Sequence, residues 1–263
     1  MAAMLGYRVV PGSALSSVVL HVPHGSRRIP ESVRERILLD DAALATELDR
    51  MTDTDTALLA ERAALAAGER PWIFENLLSR LVVDPERFPD EREEMRAVGM
   101  GAVYTRTSHG EVLRAEDPTY ARSLIEEFFD PYAQAMTDLV ADRLAATGRA
   151  VIIDVHSYPS QPLPYELHGA DARPAVCLGT DEFHTSGRLA DAARTALGVF
   201  GEIALNTPFS GCYVPLRHYG SRREVSALMI EIRRDIYLTE PAGPRTDGFA
   251  GLVRALTELI ERA

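Results

Sequence analysis

The sequence predicts an α/β fold in which helices cover both faces of a central sheet. Apolar runs of strand length alternate with longer amphipathic segments along the 263 residues, and this alternation is typical of strand–helix–strand units. The composition, with 46% hydrophobic and 25% charged residues, is that of a globular chain. A chain of this length buries a substantial core. We therefore interpret residues 1–263 as one three-layer domain.

In the first half of the chain, an apolar run at 15–22 predicts the first strand. The Ala-, Leu- and Glu-rich stretch 41–67 predicts a helix that is interrupted near 52–55. Ser79–Asp84 is interpreted as a short strand, because it is apolar and a proline follows it. The polar, aperiodic stretch 85–104 is interpreted as a long surface excursion near the site, since loops of this length are usually functional.

The clearest amphipathic helix spans 117–147. Asp117 and Pro118 suit its N-cap and first helical position, and Gly148 suits its C-terminal end. The remaining elements continue the alternation, with strand 150–155, an apolar run at 174–179, helix 185–198, strand 226–232 and a last helix at about 246–262. Active sites of such sheets lie at the carboxyl ends of strands, so residues in those places are the first candidates for chemistry.

Charge and cysteine content exclude several classes of function. The formal net charge of −11 argues against nucleic acid or an anionic membrane surface as the main partner. No apolar run approaches the roughly 20 residues that a membrane-spanning helix requires. Cys177 and Cys212 are the two cysteines, and neither stands in the CxxC spacing typical of zinc sites. We expect a cytoplasmic protein that acts on a small molecule, with its oligomeric state left open.

Histidines stand at the ends of two predicted strands. His24 follows the first strand, and His156 follows the strand that begins at residue 150. Two imidazoles and a carboxylate can hold zinc and leave one position for water, which favours metal-assisted hydrolysis. His21 competes with His24 for the first position. The carboxylate is expected shortly after residue 46, where the alternatives are Asp49, Asp53 and Asp55.

Glu231 stands inside the apolar run Ala227–Ile232. A glutamate is rarely buried without a partner or a function. We interpret Glu231 as a general base that takes a proton from the attacking water and passes it to the leaving amine. A structural ion pair with Arg233 or Arg234 is the alternative.

Two arginines, Arg80 and Arg87, flank Asp84. Guanidinium groups bind carboxylates in a bidentate manner and stabilise oxyanions, so both are candidates for contact with the substrate. Surface salt bridges to nearby glutamates are the alternative. The turn Asn206–Gly211 carries polar side chains that could line a pocket.

Together these motifs resemble the N-formylglutamate amidohydrolase family. The matching pieces run in family order over nearly the whole chain. They are Val22–Gly25 with Ile29–Pro30, Asp49 with Asp53, Ser79–Arg80, Val83–Asp84 with Arg87, Asp154–Ser157, Leu178–Thr180, Asn206–Gly211, Tyr219–Gly220, and Glu231–Arg233 with Tyr237.

The resemblance implies a fold like that of the zinc carboxypeptidases, of phosphorylase/hydrolase type, with a mixed, mostly parallel sheet. It also implies a bound Zn²⁺, or another divalent metal, and hydrolysis of the amide of a small N-acyl amino acid. The implied roles are metal ligation by His24, His156 and Asp53 (Asp49 second), general base catalysis by Glu231, a catalytic contribution from Arg80, and substrate binding by Arg87, Asn206 and Tyr219.

Two residues depart from the family pattern. Glu86 stands where the family commonly has asparagine, and Cys212 stands where a second glycine is usual. A carboxylate at position 86 would repel a substrate carboxylate, so we expect weaker activity on N-formylglutamate than on a less acidic analogue. A binding protein for an acidic small ligand, on the same fold and without catalysis, is the alternative. A serine or cysteine hydrolase is the less favoured rival.

Overall fold

A computed structural model describes residues 6–166 and 173–263 of the chain. Within these residues one sheet contains the strands β1 (Tyr7–Val10), β2 (Val18–Val22), β3 (Trp72–Asn76), β4 (Ala150–Tyr158), β5 (Val176–Gly179), β6 (Ile203–Leu205) and β7 (Val225–Arg233). The α-helices are α1 (Glu31–Arg34), α2 (Asp41–Met51), α3 (Thr56–Ala66), α4 (Pro118–Leu124), α5 (Asp130–Thr147), α6 (Gly187–Leu197) and α7 (Gly248–Arg262). A π-helical stretch joins α4 to α5, and 3₁₀ turns span Glu94–Val98, Gly198–Phe200 and Arg234–Ile236.

The strands lie in the order β1–β3–β2–β4–β7–β5–β6. Strands β3, β2, β4 and β7 are parallel neighbours, as are β5 and β6, whereas β1 pairs with β3 and β5 with β7 in antiparallel fashion. The α/β class and the mixed, mostly parallel sheet are therefore confirmed. The central strands β2 and β4 are buried along their whole length. This burial explains why they appear as continuous, mainly apolar runs rather than alternating ones.

Helices cover both faces of the sheet. In β4, Val151 and Ile153 belong to a core shared with α3, α6 and α7. The intervening Ile152 belongs to a second core shared with α5, to which Met136 and Val140 contribute. Because alternate residues of a strand point to opposite faces, the two cores lie on either side of the sheet, and the three layers are confirmed. In the described part of the chain, no helix has both the length and the apolar composition to cross a membrane.

The boundary signals of the helix predicted at 117–147 act as expected. The Asp117 carboxylate accepts hydrogen bonds of 3.0 Å from the backbone N–H groups of Thr119 and Tyr120. Pro118 is the first helical residue. Gly148 ends α5 with a φ of 79°, a left-handed conformation that glycine adopts without strain.

Two predictions for the middle of the chain are wrong. Ser79–Asp84 forms turns rather than a strand, because the three residues of Leu81–Val83 insert into three different apolar clusters. The strand of this region is β3, which the sequence analysis missed together with the short edge strands β1 and β6. The stretch 85–104 is also not wholly a surface excursion, since Met100 and Tyr104 are buried.

Candidate active site

A cavity of about 830 Å³ lies beside the carboxyl ends of the central strands and is lined by His24, His156 and Glu231. His24 follows β2, and His156 in β4 pairs in register with Glu231 in β7. Residues paired in register on neighbouring strands project to the same face of a sheet. The parallel strands therefore bring the three sequence-predicted residues to one edge of the sheet. His156 lies two residues before the end of its strand rather than after it, because β4 continues to Tyr158.

Three donor atoms in this cavity are spaced as metal ligands would be. The Nδ1 atoms of His24 and His156 are 3.3 Å apart, and Oδ2 of Asp53 lies 3.2 Å from His156 Nδ1 and 3.7 Å from His24 Nδ1. Tetrahedral zinc with bonds of roughly 2.0–2.1 Å places its ligand atoms about 3.3 Å apart. All three residues are at most 3% exposed. The set therefore fits a divalent ion.

The break between α2 and α3 brings Asp53 to this point. The backbone N–H of Asp53 donates to the His24 carbonyl at 3.0 Å, which ties the two loops together. Asp49 instead pairs with Arg27 on the outer side of α2 at 2.5 Å, and Asp55 pairs with Arg245 at 3.3 Å. Among the three candidate carboxylates, only Asp53 reaches the two histidines.

A second carboxylate orients the His24 ring. Oδ1 of Asp84 lies 2.9 Å from His24 Nε2, on the other side of the ring from the atom that faces Asp53. Oδ2 of Asp84 accepts hydrogen bonds from Arg80 Nη2 at 2.6 Å and from the Tyr104 hydroxyl at 2.6 Å. Such carboxylate–histidine pairs fix the tautomer and orientation of metal-binding imidazoles.

The electrostatics of the site stabilise positive charge at the imidazoles. Burial alone lowers the pKa of His156, but the charges of Glu86 and Asp154 outweigh burial and raise it well above 6.5. Burial and Arg80 lower the pKa of His24, whereas Asp84 and Asp53 raise it to a net value above 6.5. Conversely, burial raises the pKa of Asp53, but its hydrogen bonds with the two histidines produce a net decrease. A site that stabilises imidazolium in this way also suits a metal cation.

Glu231 is a buried carboxylate without a hydrogen-bond partner at Oε2. Burial is the largest cause that raises its pKa to about 8, Asp53 adds to the rise, and His156 opposes it. The two arginines considered as alternative partners bind other residues, because Arg233 pairs with Asp235 at 2.8 Å and Arg234 with Asp53 at 3.2 Å. A carboxylate whose pKa lies near neutrality suits a general base.

Arg80 and Arg87 both line the cavity. Arg80 is held by two hydrogen bonds to Oδ2 of Asp84, at 3.1 and 2.6 Å, and by one to the Tyr104 hydroxyl. Arg87 Nε lies 3.7 Å from Asp84, and its Nη1 lies 3.5 Å from Glu93. Both guanidinium groups are therefore anchored to the wall by acids, in positions from which they can face an anionic ligand.

The two other residues expected to contact the substrate are placed differently. Asn206 does not line the cavity. Its side chain instead binds Thr180, just after β5, by accepting from the Thr180 N–H at 2.8 Å and donating to the Thr180 hydroxyl at 2.7 Å. Tyr219 lies at the cavity wall with 47% exposure. Its hydroxyl donates to Asp181 at 3.1 Å.

The cysteine alternative finds no support in the geometry. Cys212 lines the cavity, but burial raises the pKa of its thiol to about 12. A nucleophilic cysteine requires the thiolate, which a low pKa provides. The Cys212 thiol is therefore unsuited to act as a nucleophile near neutral pH.

Sequence reasoning gave no role to three residues that shape the site. Asp154 precedes His156 by two residues and therefore shares its face of β4, with Oδ1 3.1 Å from His156 Nε2. An acid inside an apolar strand is a signal that could have identified it. Arg234 was considered only as a partner of Glu231, and Tyr104 carries no signal in its neighbouring sequence.

Comparisons with known proteins identify the family and agree with the fold. The chain matches the family model of N-formylglutamate amidohydrolase over residues 16–238, whereas no curated protein sequence matches it. The crystal structure of an N-formylglutamate amidohydrolase from Ralstonia eutropha is similar, with a TM-score of 0.80, 22% identity and coverage of 98% of this chain and 97% of that chain. A gene product from Agrobacterium tumefaciens is also similar in fold, with a TM-score of 0.71, 20% identity and coverage of 98% and 94%. The chain therefore belongs to the N-formylglutamate amidohydrolase family, a family of hydrolases that act on C–N bonds other than peptide bonds.

Proposed function

We propose that this enzyme is a zinc-dependent amidohydrolase that cleaves the amide of a small N-acyl amino acid or a related compound. The observation that carries the proposal is the spacing of the three donor atoms from His24, Asp53 and His156, which lie 3.2 to 3.7 Å apart in a buried cavity. When bound there, a zinc ion would act as a Lewis acid and lower the pKa of water. Another divalent metal would also suit imidazole and carboxylate ligands.

Glu231 is the proposed general base. Burial raises its pKa, which strengthens it as an acceptor of a proton from the attacking water, and it can then return that proton to the leaving nitrogen. Its position in register with His156 places it beside the proposed metal ligands. Neither Arg233 nor Arg234 neutralises it, since Arg233 is paired with Asp235 and Arg234 with Asp53.

Arg80 and Arg87 are proposed to face the negative charge of the substrate. A guanidinium held rigidly by Asp84 and Tyr104, as Arg80 is, is preorganised to stabilise the oxyanion that develops at the cleaved amide. Arg87 is proposed to bind an acidic group elsewhere on the substrate. Tyr219 at the wall is a further candidate for contact with the substrate.

The cavity size bears on the substrate. A volume of about 830 Å³ lies toward the upper end of small-molecule sites, which span roughly 300–1,000 Å³. We infer that the substrate is a small molecule and that N-acyl groups larger than formyl have room. The free cysteines Cys177 and Cys212 suit a reducing compartment, and we propose the cytoplasm as the place of action.

Two measurements test this proposal. Elemental analysis of untagged protein is expected to find about one zinc per chain, and chelation is expected to abolish hydrolysis until zinc is restored. The second measurement compares kcat/KM for N-formylglutamate, N-formylglutamine and a neutral N-formyl amide. Protein that takes up no zinc, or that hydrolyses none of the three compounds when loaded, would contradict the proposal. Tight binding of acidic ligands without turnover would favour the binding-protein alternative.

A further inference from the structure

Glu86, the residue that departs from the family pattern, lies against the proposed metal ligands. Its Oε2 is 3.2 Å from His156 Nε2 and 3.8 Å from His24 Nε2. Its Oε1 is 3.6 Å from His21 Nδ1. The side chain is only 16% exposed, so Glu86 belongs to the wall of the site rather than to the surface.

The carboxylate contacts the histidines on the side that faces away from the proposed metal. The Nδ1 atoms of His24 and His156 lie close to each other and to Asp53. Glu86 instead lies close to the Nε2 atoms of the same two rings. The backbone N–H of Glu86 donates to Oδ1 of Asp84 at 3.2 Å, the oxygen that also orients His24. This bond places the Glu86 backbone next to the carboxylate that orients His24.

His156 needs the acceptor that Glu86 can provide. His24 Nε2 already has Asp84 at 2.9 Å. His156 Nε2 is buried and makes no hydrogen bond of good geometry, although Asp154 Oδ1 lies 3.1 Å away and Glu86 Oε2 lies 3.2 Å away. That oxygen of Asp154 is close to His21 Nδ1, at 2.8 Å. Glu86 Oε1, which lies 3.6 Å from His21 Nδ1, is also buried and without a hydrogen bond. The other oxygen of this carboxylate, Oε2, lies 3.2 Å from the unpaired ring nitrogen of His156.

We propose that Glu86 is a positioning residue that accepts the Nε2–H of His156 and so keeps the Nδ1 lone pair of that ring directed at the metal. This inference rests on the proposed function, because it requires a metal at His24, Asp53 and His156. An acceptor behind a ligating histidine fixes its tautomer and raises its basicity. The role differs from the sequence-based expectation, in which Glu86 repels a carboxylate of the substrate.

The test compares zinc dissociation constants of Glu86→Gln, Glu86→Asn and the wild type, measured by competition with a chromogenic chelator. Loss of an outer-shell carboxylate is expected to weaken zinc binding by about 10- to 100-fold. Glu94→Gln is the matched control, since Glu94 lines the same cavity, is exposed, and loses the same charge. The control is expected to bind zinc as the wild type does. Circular dichroism verifies that each variant is folded. If Glu86→Gln does not fold, Glu86→Asn provides the comparison with the wild type.

Activity at saturating zinc provides a second readout. If Glu86 acts through His156, its variants are expected to regain most of their activity when zinc is in excess. The ratio of kcat/KM for N-formylglutamate to that for N-formylglutamine is then expected to stay unchanged. Wild-type zinc affinity in both Glu86 variants would overturn the inference. A shift of preference toward N-formylglutamate at unchanged zinc affinity would also overturn it and would assign Glu86 to substrate selection. If the wild type itself takes up no zinc, the proposed function fails first.

Discussion

Replacing Glu231 by glutamine is expected to separate catalysis from stability. The substitution keeps the size of the side chain and removes its charge. We expect kcat to fall by at least about 10²-fold, the usual scale of general acid–base help, while the metal content stays unchanged. In metal-free protein, the same substitution is expected to raise the free energy of unfolding near neutral pH, because the raised pKa keeps Glu231 protonated in the folded chain whereas unfolding lets it ionise.

The magnitude follows from the two pKa values. The pKa of Glu231 is about 8 in the folded chain and 4.5 ordinarily. The carboxyl group costs nothing below pH 4.5, where it is protonated in both states. Between the two values the folded state loses about 1.4 kcal/mol per pH unit, which amounts to about 3 kcal/mol at pH 7. The stabilisation by Glu231→Gln is therefore expected to be small at pH 4.5, to increase to that scale at pH 7 and to level off above pH 8.

Urea denaturation of chelated wild type and Glu231→Gln across this pH range measures the difference. Glu94→Gln is the control, because an exposed substitution usually changes stability by less than about 0.5 kcal/mol. A stability gain that does not depend on pH would refute the electrostatic reasoning. Loss of stability in Glu231→Gln would show that the carboxylate has a structural partner, and near-native turnover would exclude its role as the base.

Three further outcomes follow from the site. His24→Ala and His156→Ala are each expected to abolish zinc retention in dialysed protein, whereas His109→Ala, in an exposed loop, is expected to retain it. Asp84→Asn is expected to weaken zinc binding by about 10- to 100-fold, because Asp84 orients His24, and chelator competition measures this loss. Zinc retention is expected to decrease as the pH falls from about 8 to 5, since protons compete with the metal at two histidines whose pKa values are raised. Metal analysis after dialysis at each pH measures this decrease.

The fold could be predicted where local chemistry and burial indicate the same element. Asp117 marks a helix start by accepting from free N–H groups, Pro118 by lacking an N–H that would need a partner, and Gly148 marks a helix end by adopting the left-handed conformation. The prediction of a strand at 79–84 was wrong because an apolar run indicates burial, and a buried turn has the same apolar pattern as a buried strand. Its three apolar residues pack in three separate clusters. This arrangement depends on the tertiary structure and not on the local sequence.

The site was predictable to the extent that it depends on strand ends. His24, His156 and Glu231 come together because parallel strands end at one edge. The choice of Asp53 over Asp49 depends on where the helix breaks and on the N–H that Asp53 donates to His24. Asn206 shows the opposite case, because the side chain of this turn residue binds the N–H and hydroxyl of Thr180 rather than facing the cavity.

Arg234 explains how an acidic site keeps one carboxylate ready to accept a proton. It follows Glu231 by three residues, yet it binds Oδ1 of Asp53 at 3.2 Å and the carbonyls of Arg50 and Ser157 at 2.7 and 3.2 Å. Because Arg234 binds these groups, Oδ2 of Asp53 faces the histidines, and Glu231 forms no ion pair with an arginine among the described residues. If Arg234 turned to Glu231 instead, an ion pair would lower the pKa of Glu231 and weaken it as a base. The arrangement thus gives the proposed metal ligand a cationic partner and leaves the proposed base with a raised affinity for protons.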